Sequence, residues 1–209
     1  EGLVESWCVH LTKFGSPTML AAFDDGVGEE DVRRTFEALV GMDRHRALGS
    51  NLEDWSGMGT AWSYSKGDPD AEYMAIRTKA GLMDVSGLKK VHVTGHGASH
   101  VIDRATTRDP ERLMPGKAIY ASMLNDAGKF VDDCIIYRMG SNSYTVVHGS
   151  GQGHEQLTMA ATGRDVSIRF DDNLHDLSLQ GPLAVEFLEK HVPGVRALPY
   201  MSHMPASLY

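Results

Sequence analysis

Between Ala118 and Tyr137 two apolar-rich runs are separated by Asn125-Asp-Ala-Gly128, residues whose backbone preferences suit a tight turn. The pattern predicts an antiparallel hairpin with strands at about 118–124 and 130–138. Its second strand holds Asp132 and Asp133 between Phe130-Val131 and Ile135-Ile136. A carboxylate withdrawn from water needs paired charge, hydrogen-bond donors or a ligand, so the pair marks a candidate site. Consecutive strand residues point to opposite faces, and simple solvation of one Asp is the competing reading.

The rest of the chain supplies elements around that hairpin. Val32, Phe36, Leu39 and Val40 fall at helical spacing in 29–40, with acidic residues in the first turn and Gly41 behind as a stop. Residues 49–67 hold Trp55, Trp62 and Tyr64 among Gly and Ser without a clear period, which reads as an aromatic loop that lines a pocket or plugs the edge of the core. Asp68-Pro69 opens a second helix, expected to run through Tyr73, Ile76 and Ala80 to Gly81. Alternation then predicts a strand at 91–94, a turn at Gly95-His-Gly97 and a short helix over 98–105. Beyond the central hairpin, Gly140-Ser-Asn-Ser143 leads into a strand ending at His148. A helix over 152–161, strands near 166–170 and 174–179, and a helix over 182–191 follow. Mixed helices and hairpins predict an α+β fold with largely antiparallel sheets and flanking helices.

Composition narrows the partners. The 209 residues carry 20 Lys and Arg against 28 Asp and Glu, a formal charge of −8 without any basic block. This disfavours nucleic acid and anionic membrane and points to a small molecule or another protein. Neither a basic-then-apolar leader nor an apolar span of about 18 residues is visible, so a cytoplasmic location is expected. Cys8 and Cys134 lie far apart without a Cys-x-x-Cys context, which suits a reducing compartment.

Three other patterns have weaker claims. His92, His96 and His100 recur every four residues, but Gly95 and Gly97 break the helix that would align them, and no metal site is expected. Gly95-x-Gly97 lacks the third glycine and the downstream acid of a dinucleotide fingerprint. No Gly-x-Ser-x-Gly elbow supports nucleophilic hydrolysis.

Four motifs nevertheless occur in a meaningful order: Gly81-Leu-Met-Asp-Val-Ser86, Pro115-Gly-Lys-Ala-Ile-Tyr120, Asn125-Asp-Ala-Gly128 with Asp132-Asp133, and Gln180-Gly-Pro182 followed by Ala184 and Leu188. Across residues 72–203 the chain resembles the glycine cleavage T-protein (aminomethyltransferase) family, which includes tetrahydrofolate-dependent demethylases. The resemblance implies part of a three-domain folate-binding cloverleaf, with residues 1–67 as a helical and aromatic N-terminal region and 68–209 as a folate-binding α+β region. It implies transfer of a one-carbon unit between a substrate and tetrahydrofolate.

By the same resemblance, Asp133 matches the functional carboxylate at the folate's reactive nitrogens, Tyr120 and Tyr137 match channel tyrosines, and Ile135 matches an apolar contact to the pterin. There are departures. Gly87-Leu88 stands where the glycine-cleavage enzymes usually carry His-Met, leaving Leu88 as an apolar contact, and His148, by position a further folate-binding residue, stands where they carry Asn. An Asn amide is donor and acceptor together, whereas His divides those roles by tautomer. These departures favour a demethylase acting on a small methylated amine, ether or sulfonium. The alternatives are the aminomethyltransferase of glycine cleavage, with a lipoyl-carrier protein as partner, and a non-catalytic folate-binding module. The family's Gly-Tyr-Thr-Gly-Glu-like segment is expected beyond Tyr209, on a longer chain or on a second chain that completes the fold.

Overall fold

The computed structural model describes residues 6–12, 21–23, 42–55, 58–149, 152–171 and 174–206. In chain order its elements are β1 (Ser6–Thr12), β2 (Ala21–Phe23), α1 (Met42–Ala47), β3 (Glu53–Trp55), β4 (Met58–Thr60), α2 (Pro69–Thr78), β5 (Ala80–Asp84) and β6 (Lys89–Thr94). They continue with α3 (Ala98–Ala105), β7 (Ala118–Leu124), β8 (Phe130–Gly140), β9 (Ser143–His148), α4 (Gly153–Ala161), β10 (Ser167–Phe170), β11 (Leu174–Gln180) and α5 (Ala184–His191). The architecture is the expected α+β one, and every strand pairing in its sheets is antiparallel. No helix among the described residues is long and apolar enough to cross a membrane.

Two compact units divide the chain, the first drawn from Glu1–Gly87 and Asn173–Ala197, the second from Leu88–Asp172 and Leu198–Ala206. Residues 67 and 68, the boundary expected from sequence, both lie in the first unit. That unit contains a four-stranded sheet of order β1-β11-β5-β2. Leu82 of β5 and Leu177 and Leu179 of β11 bury one side of it with Ala184 and Leu188 of α5. Asp68 caps α2 by accepting from the Asp70 and Ala71 N–H groups, and Pro69 fills the first turn, as the sequence predicts.

The helix stops earlier than its apolar spacing suggests. It ends at Thr78, and Ala80 and Gly81 belong instead to β5, paired with β2 and β11. Pairing with two neighbouring strands outweighs a weak local helical preference. The Asp84-Val-Ser86 motif finishes that strand: Ser86 N–H donates to Asp84 Oδ1 at 2.8 Å and Ser86 Oγ accepts from Asp176 N–H at 3.1 Å. The aromatic loop also contains unforeseen order, the β3–β4 ribbon, while the helix expected over 29–40 lies outside the described residues.

The second unit is a five-stranded sheet of order β10-β6-β9-β8-β7. One face packs against α3 and α4 through Val91, Val93, Val101, Ile102, Met123, Ile136, Val146 and Leu157, all fully buried. The central turn forms as expected, with Asn125 Oδ1 accepting from the Ala127 and Lys129 N–H groups and Gly128 at φ +72°. The ladder shifts register between Met123 and Leu124, so Val131 is passed over and Asp132 comes opposite Met123.

Gly181, within the Gln180-Gly-Pro182 motif, has φ +122°, and a Cβ there would lie 2.5 Å from the Lys79 carbonyl oxygen and 2.8 Å from that of Ile76. Gly181→Ala is therefore expected to lower unfolding free energy by about 1–3 kcal/mol, measured by urea denaturation. A second prediction concerns His45, fully buried, with Nδ1 3.0 Å from the Tyr64 hydroxyl and Nε2 without a partner among the described residues. Burial pushes its imidazole from 6.5 down to about 4. Between those values the unfolded chain binds the extra proton, so this contribution is present above pH 6.5 and is lost as pH falls toward about 4. His45→Phe should reduce the difference in urea-unfolding free energy between pH 7 and pH 4.5.

Candidate functional site

Strand alternation on β8 sorts the candidate residues. Asp133, Ile135 and Tyr137 project to the face opposite the helix-covered core, and their β7 register partners Ser122, Tyr120 and Ala118 share that face. Across β8–β9, Val147 and Thr145 face Ile135 and Tyr137, and across β9–β6 Lys90 and His92 follow. Ala118, Tyr137 and Val147 are buried there, with Leu88, Ile135 and Met201 packed against them. The structure thus groups Leu88, Ile135 and Tyr137 in one apolar wall.

Asp133 and Tyr120 stand beside that wall. Tyr120, half-exposed, donates its hydroxyl to Asp133 Oδ2 at 2.7 Å. That hydrogen bond is the main reason the phenol's pKa is raised, because the proton that ionisation would remove is the one shared with the carboxylate. Lys90 is buried with its ammonium donating to the Leu88 carbonyl at 2.8 Å, and His92 lies between Thr145 Oγ1 and Asp171 Oδ2. Neither Lys90 nor Thr145 announces itself in sequence, since each sits in an ordinary strand alternation.

His148 is not part of this grouping. It pairs with Cys134 and Lys89 and points to the opposite, helix-covered face, where Nδ1 lies 3.0 Å from Asp132 Oδ2 and Nε2 2.9 Å from His154 Nδ1. The His154 ring stacks on Phe170 with centroids 3.8 Å apart. Burial lowers the His148 pKa, and the hydrogen bond to Asp132 opposes that shift. The two faces therefore divide the carboxylates: Asp133 lies on the side of the apolar wall, and Asp132 bonds a buried imidazole on the other. The sequence did carry a signal for the second group. A Cβ at Gly149 would lie 2.6 Å from Asp132 Oδ1, and one at Gly153 2.6 Å from His148 Nδ1, so both glycines admit the pair.

The periodic histidines diverge. His92 turns to Asp171 and His96 to Asp165, and no group of three or more His, Cys, Asp or Glu is placed to hold a metal ion among the described residues.

Residues 41–208 match the GCVT N-terminal domain. The chain belongs to this family. It is 60% identical over 167 residues to the heme-dependent oxidative N-demethylase gamma subunit of Ectopseudomonas mendocina, covering 80% of this chain and 44% of that one. It is also 35% identical over 165 residues to the aminomethyltransferase of Rubrobacter xylanophilus, covering 78% and 44%. The glycine cleavage system aminomethyltransferase T of Bartonella henselae has a similar structure, with a TM-score of 0.67 at 26% identity, covering 77% of this chain and 45% of that one. The chain spans less than half the length of these relatives.

Gly87, where the resemblance leads one to expect His, has a physical setting. A Cβ at Gly87 would lie 2.2 Å from Cδ2 of Trp55, so the missing side chain makes room for an indole, which Trp62 approaches at 5.6 Å. The early tryptophans and the Gly87 departure are one local arrangement.

Cys134 also follows from the partition. It is buried, and burial together with Asp132 and Asp133 pushes its thiol up to about 12. In a Cys8→Ser variant, Cys134 should resist an aromatic disulfide reagent at pH 8 and react promptly once guanidinium unfolds the chain.

Proposed function

We propose that this chain supplies the tetrahydrofolate-binding part of a one-carbon transferase that demethylates a small methylated compound, a methylated amine before an ether or sulfonium. The observation that carries the reading is the Tyr120–Asp133 pair at the edge of the Leu88, Ile135 and Tyr137 wall. An apolar wall with a carboxylate and a phenol beside it suits a flat heterocycle bearing ring N–H groups. The amine preference draws on the 60% identity to an N-demethylase subunit.

Tetrahydrofolate, when bound, supplies the nitrogen that accepts the one-carbon unit. Leu88, Ile135 and Tyr137 would hold the ring and exclude water from one side of it. With Oδ2 held by Tyr120, Asp133 would present Oδ1 to a ring N–H and its charge would offset positive charge on the folate nitrogen. The same carboxylate would be the base within reach of a proton on that nitrogen. Tyr120 restrains the carboxylate, so the geometry is set before substrate arrives.

The relative's description as a gamma subunit supports a second chain as partner, and a cytoplasmic assembly fits the two widely spaced cysteines. The similarity to aminomethyltransferases favours a second reading, glycine cleavage with a lipoyl-carrier partner. Product and partner analysis separates the two. Turnover of a methylated amine without a lipoyl carrier supports demethylation, whereas strict dependence on that carrier supports glycine cleavage.

In the full-length protein, Asp133→Asn should weaken tetrahydrofolate binding about tenfold by calorimetry, as expected for loss of a charge-assisted hydrogen bond. One-carbon transfer should fall about 10²–10⁴-fold. Unchanged affinity and turnover would sink the proposed role of Asp133. Full binding capacity without any transfer, in wild type as in the variant, would leave a folate-binding module.

A further inference from the structure

The chain Asp133 N–H, Asp132, His148, His154 links the residue on the apolar-wall side of the second unit's sheet to its helix-covered face. The β8–β9 pairing begins at Cys134 and His148, one residue beyond Asp133, and the Asp133 N–H donates to Asp132 Oδ1 at 2.9 Å. Asp132 Oδ2 is taken by His148 Nδ1 at 3.0 Å. Both oxygens of one buried carboxylate are therefore committed, one to the backbone of the site residue and one to an imidazole. We propose that His148 is a positioning residue that orients Asp133 through Asp132, and not a group that meets the ligand.

Hydrogen-bond direction follows from chemistry. A carboxylate only accepts, so His148 Nδ1 carries the proton. Neutral His148 then accepts at Nε2, and His154 must donate from Nδ1 across their 2.9 Å contact. Lys89 and Cys134 flank His148 as its register partners on β6 and β8, His154 comes from α4, and Phe170 of β10 backs the His154 ring. Among these, Asp132 is the group that connects the imidazole to the apolar-wall side. Gly149 and Gly153 close tightly on this pair, which leaves Asp132 little room to reorient.

Asparagine and glutamine separate positioning from packing. In His148→Asn the amide nitrogen takes the place of the imidazole Nδ1, keeping the bond to Asp132. In His148→Gln the terminal amide falls near the position of Nε2, where its oxygen accepts from His154 Nδ1 and keeps that contact, while the bond to Asp132 is lost. Packing alone ranks the substitutions the other way, because the longer glutamine side chain fills more of the ring's volume.

The proposal rests on the folate reading for its consequence but is read without folate through the Tyr120 phenol, whose hydroxyl reports the position of Asp133 at 2.7 Å. In full-length protein carrying ¹³Cζ-tyrosine, with the resonance assigned by Tyr120→Phe, His148→Asn should keep the raised phenol titration. His148→Gln should return it toward the ordinary tyrosine value. Tetrahydrofolate affinity should stay within about threefold in the first variant and drop about tenfold in the second. The reverse order, or a Tyr120 titration that neither variant moves, overturns the proposal. Wild-type ¹⁵N spectra give a check independent of variant folding: an Nε2–H tautomer at His148 also overturns it. The expected Tyr120 responses in a protein that binds no tetrahydrofolate would instead remove the folate reading and keep the positioning role.

Discussion

Because successive residues of β8 project to opposite sides of the sheet, one strand supplies core and candidate site together. Asp132, Cys134 and Ile136 enter the helix-covered side, while Asp133, Ile135 and Tyr137 enter the other. A slip of one residue would place Asp133 in the core and Cys134 at the site. The hydrophobic core prevents it, since Cys134 and Ile136 of β8 would then lose their burial in the helix-covered cluster. Registering the site is thus a by-product of packing the core.

The buried carboxylate is the costly part of this arrangement. Asp132 has little contact with water, and its desolvation is offset only while both oxygens keep donors, from the Asp133 backbone and the His148 ring. An imidazole meets that need while remaining neutral, which burial favours. The same region holds Cys134, whose thiol is kept protonated by burial and the adjacent negative charge. The environment that makes one side chain a hydrogen-bond partner makes its neighbour chemically quiet.

Much of this was legible in sequence where local rules and tertiary packing agree. The hairpin turn at Asn125–Gly128, the Asp68-Pro69 start of α2 and the alternation that sends Asp132 and Asp133 to opposite faces all need only short-range chemistry. What was hidden depended on distant partners. The early end of α2 is set by β5 pairing with β2 and β11, and the Trp55 strand by a ribbon partner in a stretch without a hydrophobic period. His148 was grouped with Tyr120 and Tyr137 by family position. Counting residues back from the Cys134 pairing is what separates them, and that register is a property of the sheet. His154 had no signal beyond a glycine preceding it, because helical spacing alone does not say which ring a histidine will meet.

The contact between Gly87 and Trp55 ties two distant positions of the chain together. Where the glycine-cleavage enzymes usually carry a histidine, this backbone lies against an indole with no space for even a methyl group. Restoring the histidine without reducing the tryptophan would force the two apart, and reducing the tryptophan alone would leave a void. The two positions are therefore sterically coupled: any side chain at residue 87 requires a smaller one at residue 55, so neither can be chosen independently of the other.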